Sequence, residues 1–134
     1  MPAYRLKEVS RLLGVSDDTV RRWADRGRFT TDRDDSGHLV VAGSELARFA
    51  QELAASAETP TALGLSSARN RLVGLVTRVV RDTVMAQVEM QAGPYRLVSL
   101  MSTEAADELG LEPGVLAAAV VKATNVVVET VDRP

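Results

Sequence analysis

The sequence predicts an α+β chain of two unlike segments, the first mostly helical and the second a small sheet. Three observations carry this. Residues 4–55 set apolar side chains at helical spacing, interrupted by one short hairpin. Residues 66–131 set them in short runs between turn signals, as strands do. Between the two lies Ala54-Ala55-Ser56-Ala57-Glu58-Thr59-Pro60-Thr61-Ala62-Leu63-Gly64, small residues with one Pro and one Gly, which suits a linker. The expected organisation is a first domain over 1–55, a linker over 56–65 and a second domain over 66–134. A chain of 134 residues is long enough for two small domains.

In the first segment Leu6, Val9, Leu12 and Leu13 recur as one face of a helix. Gly14 suits its C-terminus, and Ser16 suits the N-cap of a second helix. Asp17 and Asp18 then fall in the first turn, where the helix dipole favours negative charge. Val20, Trp23 and Ala24 form the buried stripe of that helix. Asp17, Asp18, Thr19, Arg21, Arg22 and Arg26 are left facing outward. Trp23 shares the apolar stripe, so it reads as core rather than as a stacking residue. Phe29–Thr31 and Leu39–Val41 flank Asp34-Asp35-Ser36-Gly37, a good hairpin turn. Ser44 opens a third helix through Leu46, Phe49 and Leu53. Helix, short Gly-containing turn, helix is the layout of a helix-turn-helix, and the hairpin follows it.

Here a resemblance becomes specific. Leu6-Lys7-Glu8-Val9, Leu13-Gly14-Val15-Ser16, Thr19-Val20-Arg21-Arg22-Trp23, Arg26-Gly27-Arg28-Phe29, Gly37-His38 and Ser44-Glu45-Leu46-Ala47-Arg48-Phe49 resemble the MerR and excisionase family over residues 4–53. That resemblance implies a second helix in the major groove of double-stranded DNA and a wing on the backbone. It places Thr19, Arg21 and Arg22 near bases or phosphates, with Arg28 and His38 near the wing. The chain departs from the pattern after Gly37-His38, where Leu39 and Val40 stand in place of arginines. Asp32, Asp34 and Asp35 also bring negative charge to the wing turn, which repels phosphate.

In the second segment Leu72–Val80, Val84–Met90 and Tyr95–Met101 read as strands. Thr103–Leu109 reads as a short helix ended by Gly110, and Pro113-Gly114 as a turn. Val115–Lys122 and Val126–Val131 complete the set. Five strands with one short helix point to a small OB-like β-barrel. A core this small gains from oligomerisation.

Ser67-Ala68-Arg69-Asn70-Arg71-Leu72-Val73-Gly74, Leu109-Gly110-Leu111-Glu112-Pro113-Gly114 and Val121-Lys122-Ala123-Thr124-Asn125-Val126 resemble, in that order, the TOBE or Mop-type molybdate-binding domains. The resemblance implies an oxyanion site with ligands Ser67, Arg69, Ser102 and Lys122, and main-chain donors around Ala68 and Ala123. The residue types suit the chemistry. Molybdate and tungstate are tetrahedral dianions, recognised by charge and hydrogen-bond donors. Arginine offers a planar donor fork, lysine a compact charge, and serine a hydroxyl proton. Some relatives carry a further hydroxyl where this chain has Ala105. Because the family builds sites between subunits, Arg69 and Lys122 of one site can come from different chains. Asn70 reads as fixing a turn through its side chain.

Composition bounds the rest. With 46% hydrophobic and 25% charged residues the chain should fold, and 4% aromatics leave its cores to aliphatic side chains. The absence of cysteine excludes disulfides and thiolate chemistry, and one histidine, His38, excludes zinc sites built on several imidazoles. No apolar run approaches a membrane span, and no signal-peptide pattern opens the chain, so a cytoplasmic location without membrane association is expected. The net charge is −2, yet residues 1–28 carry seven cations against four carboxylates, a basic surplus that permits DNA binding. No arrangement resembles a catalytic centre, so no enzyme is expected. The reading is a DNA-binding transcription regulator that responds to molybdate or tungstate as a homo-oligomer, dimer or hexamer. The alternatives are a molybdate or tungstate storage or buffering protein, or a DNA-binding protein whose barrel only oligomerises. A pterin ligand fits least, since stacking aromatics are scarce.

Overall fold

The computed structural model describes residues 2–56 and 66–132, in two compact units divided after residue 58. The expected linker lies almost entirely outside the described residues.

The first unit runs β1 (Ala3–Arg5), α1 (Leu6–Leu13), α2 (Asp17–Asp25), β2 (Asp32–Arg33), β3 (Leu39–Ala42) and α3 (Gly43–Ser56). Helix α1 starts where the Glu8 carboxylate accepts the Arg5 N–H at 3.2 Å. It stops at Gly14, whose φ of 68° is the left-handed conformation that glycine adopts without steric cost. Ser16 caps α2 by accepting the Thr19 N–H at 3.2 Å. Asp17 is exposed, as its spacing predicts, yet its carboxylate also has a partner on α1. The Ser10 hydroxyl, in a residue only 6% exposed, lies 2.6 Å from the Asp17 carboxylate and ties the two helices across their turn.

The small sheet has the order β1-β3-β2, all antiparallel, with Tyr4 opposite Val41 and Arg33 opposite Leu39. Two expectations shift here. Residues 3–5 form a strand, because β3 offers them a free edge. Phe29–Thr31 is not a strand: Phe29 turns into the core, and pairing begins only at Asp32. The core joins Val9, Val20, Phe29, Val41, Leu46 and Phe49, with Trp23 against it. Trp23 and Phe29 meet Phe49 edge-on, at ring-centroid distances of 5.2 and 5.1 Å.

The second unit runs β4 (Asn70–Arg81), β5 (Met85–Ala92), β6 (Tyr95–Ser102), α4 (Thr103–Glu108), β7 (Leu116–Val121) and a 3-10 turn (Ala123–Asn125). The sheet order is β6-β5-β4-β7. Strand β4 pairs through its first half with β7 and through its second half with β5. It can do so because the register shifts between Val76 and Arg78, which bends the strand. At the changeover the partners cross closely. A Cβ on Gly74 would sit 2.2 Å from the Gln91 carbonyl oxygen, so only glycine fits.

Val76, Val88 and Leu111 form the core, and α4 seats the buried Ala106. The curled sheet brings both edge strands, β6 and β7, to one apolar cavity of about 490 Å³. The fifth expected strand is not paired: Val126–Val131 lies outside the sheet, with Val127, Val128 and Val131 each at least 85% exposed.

Candidate functional site

At one end of the second unit, the β4–β7 ladder closes with Asn70 opposite Val121. The next step outward on each strand is Arg69 and Lys122, which therefore leave the sheet side by side from one chain. Cross-strand neighbours of this kind have Cβ atoms about 5 Å apart. Asn70 fixes this alignment rather than a turn, its side-chain amide donating to the Val121 carbonyl at 3.1 Å. Ser67 and Ala68 precede Arg69, and Ala123 follows Lys122 at the start of the 3-10 turn. Five of the six expected oxyanion residues thus gather at one sheet end.

Arg69 and Lys122 are exposed. Among the described residues neither cation has a carboxylate within ion-pair reach, whereas Arg81 pairs with Asp107 and Arg96 with Glu89. Two adjacent, unneutralised cations repel each other and attract a multivalent anion. The Ala68 N–H is engaged within the chain, donating to the Ser66 hydroxyl at 3.1 Å.

Ser102 is placed elsewhere. It ends β6 opposite Met85, beside the Arg81 end of β4. A 12-residue strand covers ~40 Å when straight, at about 3.3 Å per residue. Ser102 and the Arg69–Lys122 pair thus lie toward opposite ends of β4. Ser102 also has a local task, capping α4 by accepting the Ala105 N–H at 3.1 Å. The sequence carried that signal, a serine just before a short helix, but it overlapped with the hydroxyl expected as a ligand.

The first unit carries its own basic surface. Arg21 and His38 line one groove of about 670 Å³ together with Arg5, Lys7 and Arg33. The last three were not singled out from the sequence, because their convergence depends on how the wing packs beside α2. Thr19 and Arg22 form a separate exposed pair, the guanidinium donating to the Thr19 hydroxyl at 3.3 Å. Arg28 lies apart from both, its guanidinium stacked 5.2 Å from the Phe49 ring centroid.

The wing turn is less repulsive than three carboxylates suggest. Asp34 accepts the Ser36 and His38 N–H groups, each at 2.9 Å, and faces Arg5 at 3.4 Å and His38 at 3.6 Å. The His38 N–H, foremost, then that of Ser36 and the positive charge of His38 and Arg5, hold the Asp34 carboxyl below its ordinary pKa. Its charge is therefore answered inside the turn, leaving Asp32 of β2 and Asp35 of the turn exposed.

Comparison with known proteins agrees with this division. Residues 66–128 match the TOBE domain family, and residues 3–54 match a helix-turn-helix domain family. Molybdenum-pterin-binding protein 2 of Clostridium pasteurianum is 38% identical over 63 residues, covering 46% of this chain and 93% of the relative. Molybdenum-pterin-binding protein 1 of the same organism is 35% identical over the same shares. A solved molybdate-binding protein from Sporomusa ovata, 34% identical, aligns over 50% of this chain and all of its own, with a TM-score of 0.48.

Proposed function

The chain belongs to the TOBE domain family, with a helix-turn-helix domain ahead of it, and from that premise we propose a DNA-binding transcription regulator that responds to molybdate or tungstate. The observation that carries the ligand is the paired exit of Arg69 and Lys122 from the β4–β7 ladder without a carboxylate partner among the described residues. A tetrahedral dianion accepts hydrogen bonds from both cations at once, with the Ser67 hydroxyl beside them. A site that also uses Ser102 takes it from another copy, since one chain holds the two groups at opposite sheet ends. Binding of the anion between copies then sets the spacing of two DNA readers, which is how it shifts DNA affinity. The reader's groove of Arg5, Lys7, Arg21, Arg33 and His38 meets the phosphate backbone.

The test is calorimetric titration with molybdate, tungstate and sulfate, repeated on the double variant Arg69→Ala with Lys122→Ala. Molybdate and tungstate should bind and sulfate should not. The variant should bind about 100-fold more weakly or not at all, since each charge-assisted hydrogen bond contributes about 1.5–3 kcal/mol. Unchanged binding in the variant refutes the site. Fluorescence anisotropy with labelled DNA at fixed salt then tests regulation, and equal affinity with and without oxyanion refutes it. The exposed Asp32 and Asp35 of the wing favour a second reading, an oxyanion store. That reading predicts oxyanion binding with no DNA binding even at low salt.

A further inference from the structure

We propose that Asp34 competes with DNA phosphate for the reader's own cations and so keeps DNA binding by one copy weak, an inference that rests on the groove of the first unit being its DNA surface. Five basic side chains line that groove, Arg5, Lys7, Arg21, Arg33 and His38, beside the carboxylate of Asp25. They fall into two sets. Lys7, Arg21 and Arg33 have no carboxylate within ion-pair reach among the described residues, and Arg33 donates to the neutral Gly37 carbonyl at 2.6 Å. Arg5 and His38 are held. The Arg5 Nε faces the Asp34 carboxylate at 3.4 Å, and the His38 Nδ1 faces it at 3.6 Å.

The competitor is fixed in place by the wing itself. Asp34 Oδ1 accepts the Ser36 and His38 N–H groups, each at 2.9 Å, which anchors the carboxylate in the hairpin turn. The other oxygen, Oδ2, is the one that faces Arg5. Arg5 ends β1, whose pairing with β3 sets it opposite Val40. The ladder therefore delivers the cation to the carboxylate at little cost in side-chain freedom. Asp32 and Asp35, in the same wing, have no cation within ion-pair reach among the described residues. Of the three wing carboxylates, Asp34 is thus the one that draws directly on groove cations.

A phosphate that binds Arg5 and His38 must first displace Asp34. Each cation that stays on Asp34 is one phosphate contact fewer, and non-specific DNA affinity comes from such contacts. A reader with all five basic groups free would hold DNA tightly as a single copy, and the spacing of two readers would then matter little. With two of them drawn away, a second linked reader supplies a larger share of the total affinity. Asp34 therefore makes DNA occupancy sensitive to whatever sets the spacing of the two readers.

The two carboxylate oxygens let the turn be separated from the charge. Asp34→Asn keeps Oδ1 as acceptor of both N–H groups and puts an uncharged amide where Oδ2 faced Arg5. Anisotropy of labelled duplex DNA of mixed sequence, at one pH and over a series of salt concentrations, compares the full-length native chain with its variants. Asp34→Asn should bind about 3- to 10-fold more tightly at low salt, with a salt slope steeper by about one, the effect of one further phosphate contact. Asp35→Asn removes the same charge from a carboxylate without a partner among the described residues, and should tighten binding by less than about twofold. The gain from Asp34→Asn should also vanish when Arg5→Gln and His38→Gln are both present. Unchanged binding by Asp34→Asn overturns the proposal, and weaker binding does so by showing that Asp34 orients Arg5 toward phosphate. A gain matched by Asp35→Asn, or one that persists without Arg5 and His38, overturns it too, since net charge alone then accounts for it. If neither the native chain nor any variant binds DNA at low salt, the groove reading itself fails and the role of Asp34 falls with it.

Discussion

The two units solve the same problem, a small core, in opposite ways. The first unit closes on itself. Three of its aromatic rings interlock, Trp23 and Phe29 meeting Phe49, and Leu12 is its only large apolar side chain strongly exposed among the described residues. The second unit has aliphatic contacts alone in its core, and it exposes Leu75, Val98, Leu100, Leu116, Val127 and Val128, among others. A DNA reader must present polar groups and needs nothing from a partner to hold its shape. A sheet that leaves both edges and a valine-rich segment open would gain burial by association. Stability of the first unit should therefore be independent of concentration, and that of the second should depend on it.

The largest expected effect attacks the closed core. Phe49→Ala removes the ring that Trp23, Phe29 and Arg28 all contact, in a residue with no exposure. It should destabilise the first unit by about 3–5 kcal/mol, enough to unfold it. Urea unfolding followed by Trp23 fluorescence measures this, and calorimetric oxyanion binding should survive. Loss of both together would break the division into independent units.

Gly74→Ala is the counterpart in the second unit. Its Cβ meets backbone on the neighbouring strand, the Gln91 carbonyl oxygen at 2.2 Å and the Ala92 Cα at 2.9 Å, and backbone cannot rotate aside. We expect a loss of about 1–3 kcal/mol, confined to the second unit's far-UV melting transition. Asn70→Ala should do less, about 1 kcal/mol, since it removes one cross-strand hydrogen bond. It should nonetheless weaken oxyanion affinity measurably, because the same bond sets Arg69 beside Lys122. Unchanged affinity would mean that the ladder alone aligns them.

What the sequence made legible follows the same divide. Helix caps depend on neighbours in the chain, and Gly14 and Ser16 stand where their residue types said. The basic residues and the TOBE-like motifs were equally visible, because each is a contiguous run. Contacts between distant elements were not. Strand β1 exists only because β3 offers an edge, and the Ser10 hydroxyl reaches the Asp17 carboxylate only because the turn folds α1 against α2. The separation of Ser102 from Arg69 and Lys122 depends on sheet register, which no local motif reports. Val126–Val131 has strand composition, but composition supplies no partner, and the segment lies outside the sheet.

The smallest effect sets the two units side by side through one shared device. Asp34 in the wing and Asp82 after β4 each accept two backbone N–H groups in a tight turn, Ser36 and His38 for one, Val84 and Met85 for the other. In both the hydrogen bonds lower the carboxyl pKa, led by the His38 N–H for Asp34 and by the Met85 N–H for Asp82. A lowered folded-state value means that the stabilisation is present above the ordinary aspartate pKa, about 3.9. It is lost as pH falls through the folded value. The two differ in what else lowers them: Asp34 also faces the charges of His38 and Arg5, whereas Asp82 is lowered by hydrogen bonds alone. Salt screens charges between exposed groups and leaves short backbone hydrogen bonds largely untouched. Carboxyl carbon shifts followed by NMR from pH 6 down to 2 should therefore show the Asp34 midpoint rising when salt goes from low to about 1 M. The Asp82 midpoint should stay in place. Equal movement of both would show that His38 and Arg5 contribute nothing to the wing, and that its turn is held by the backbone alone.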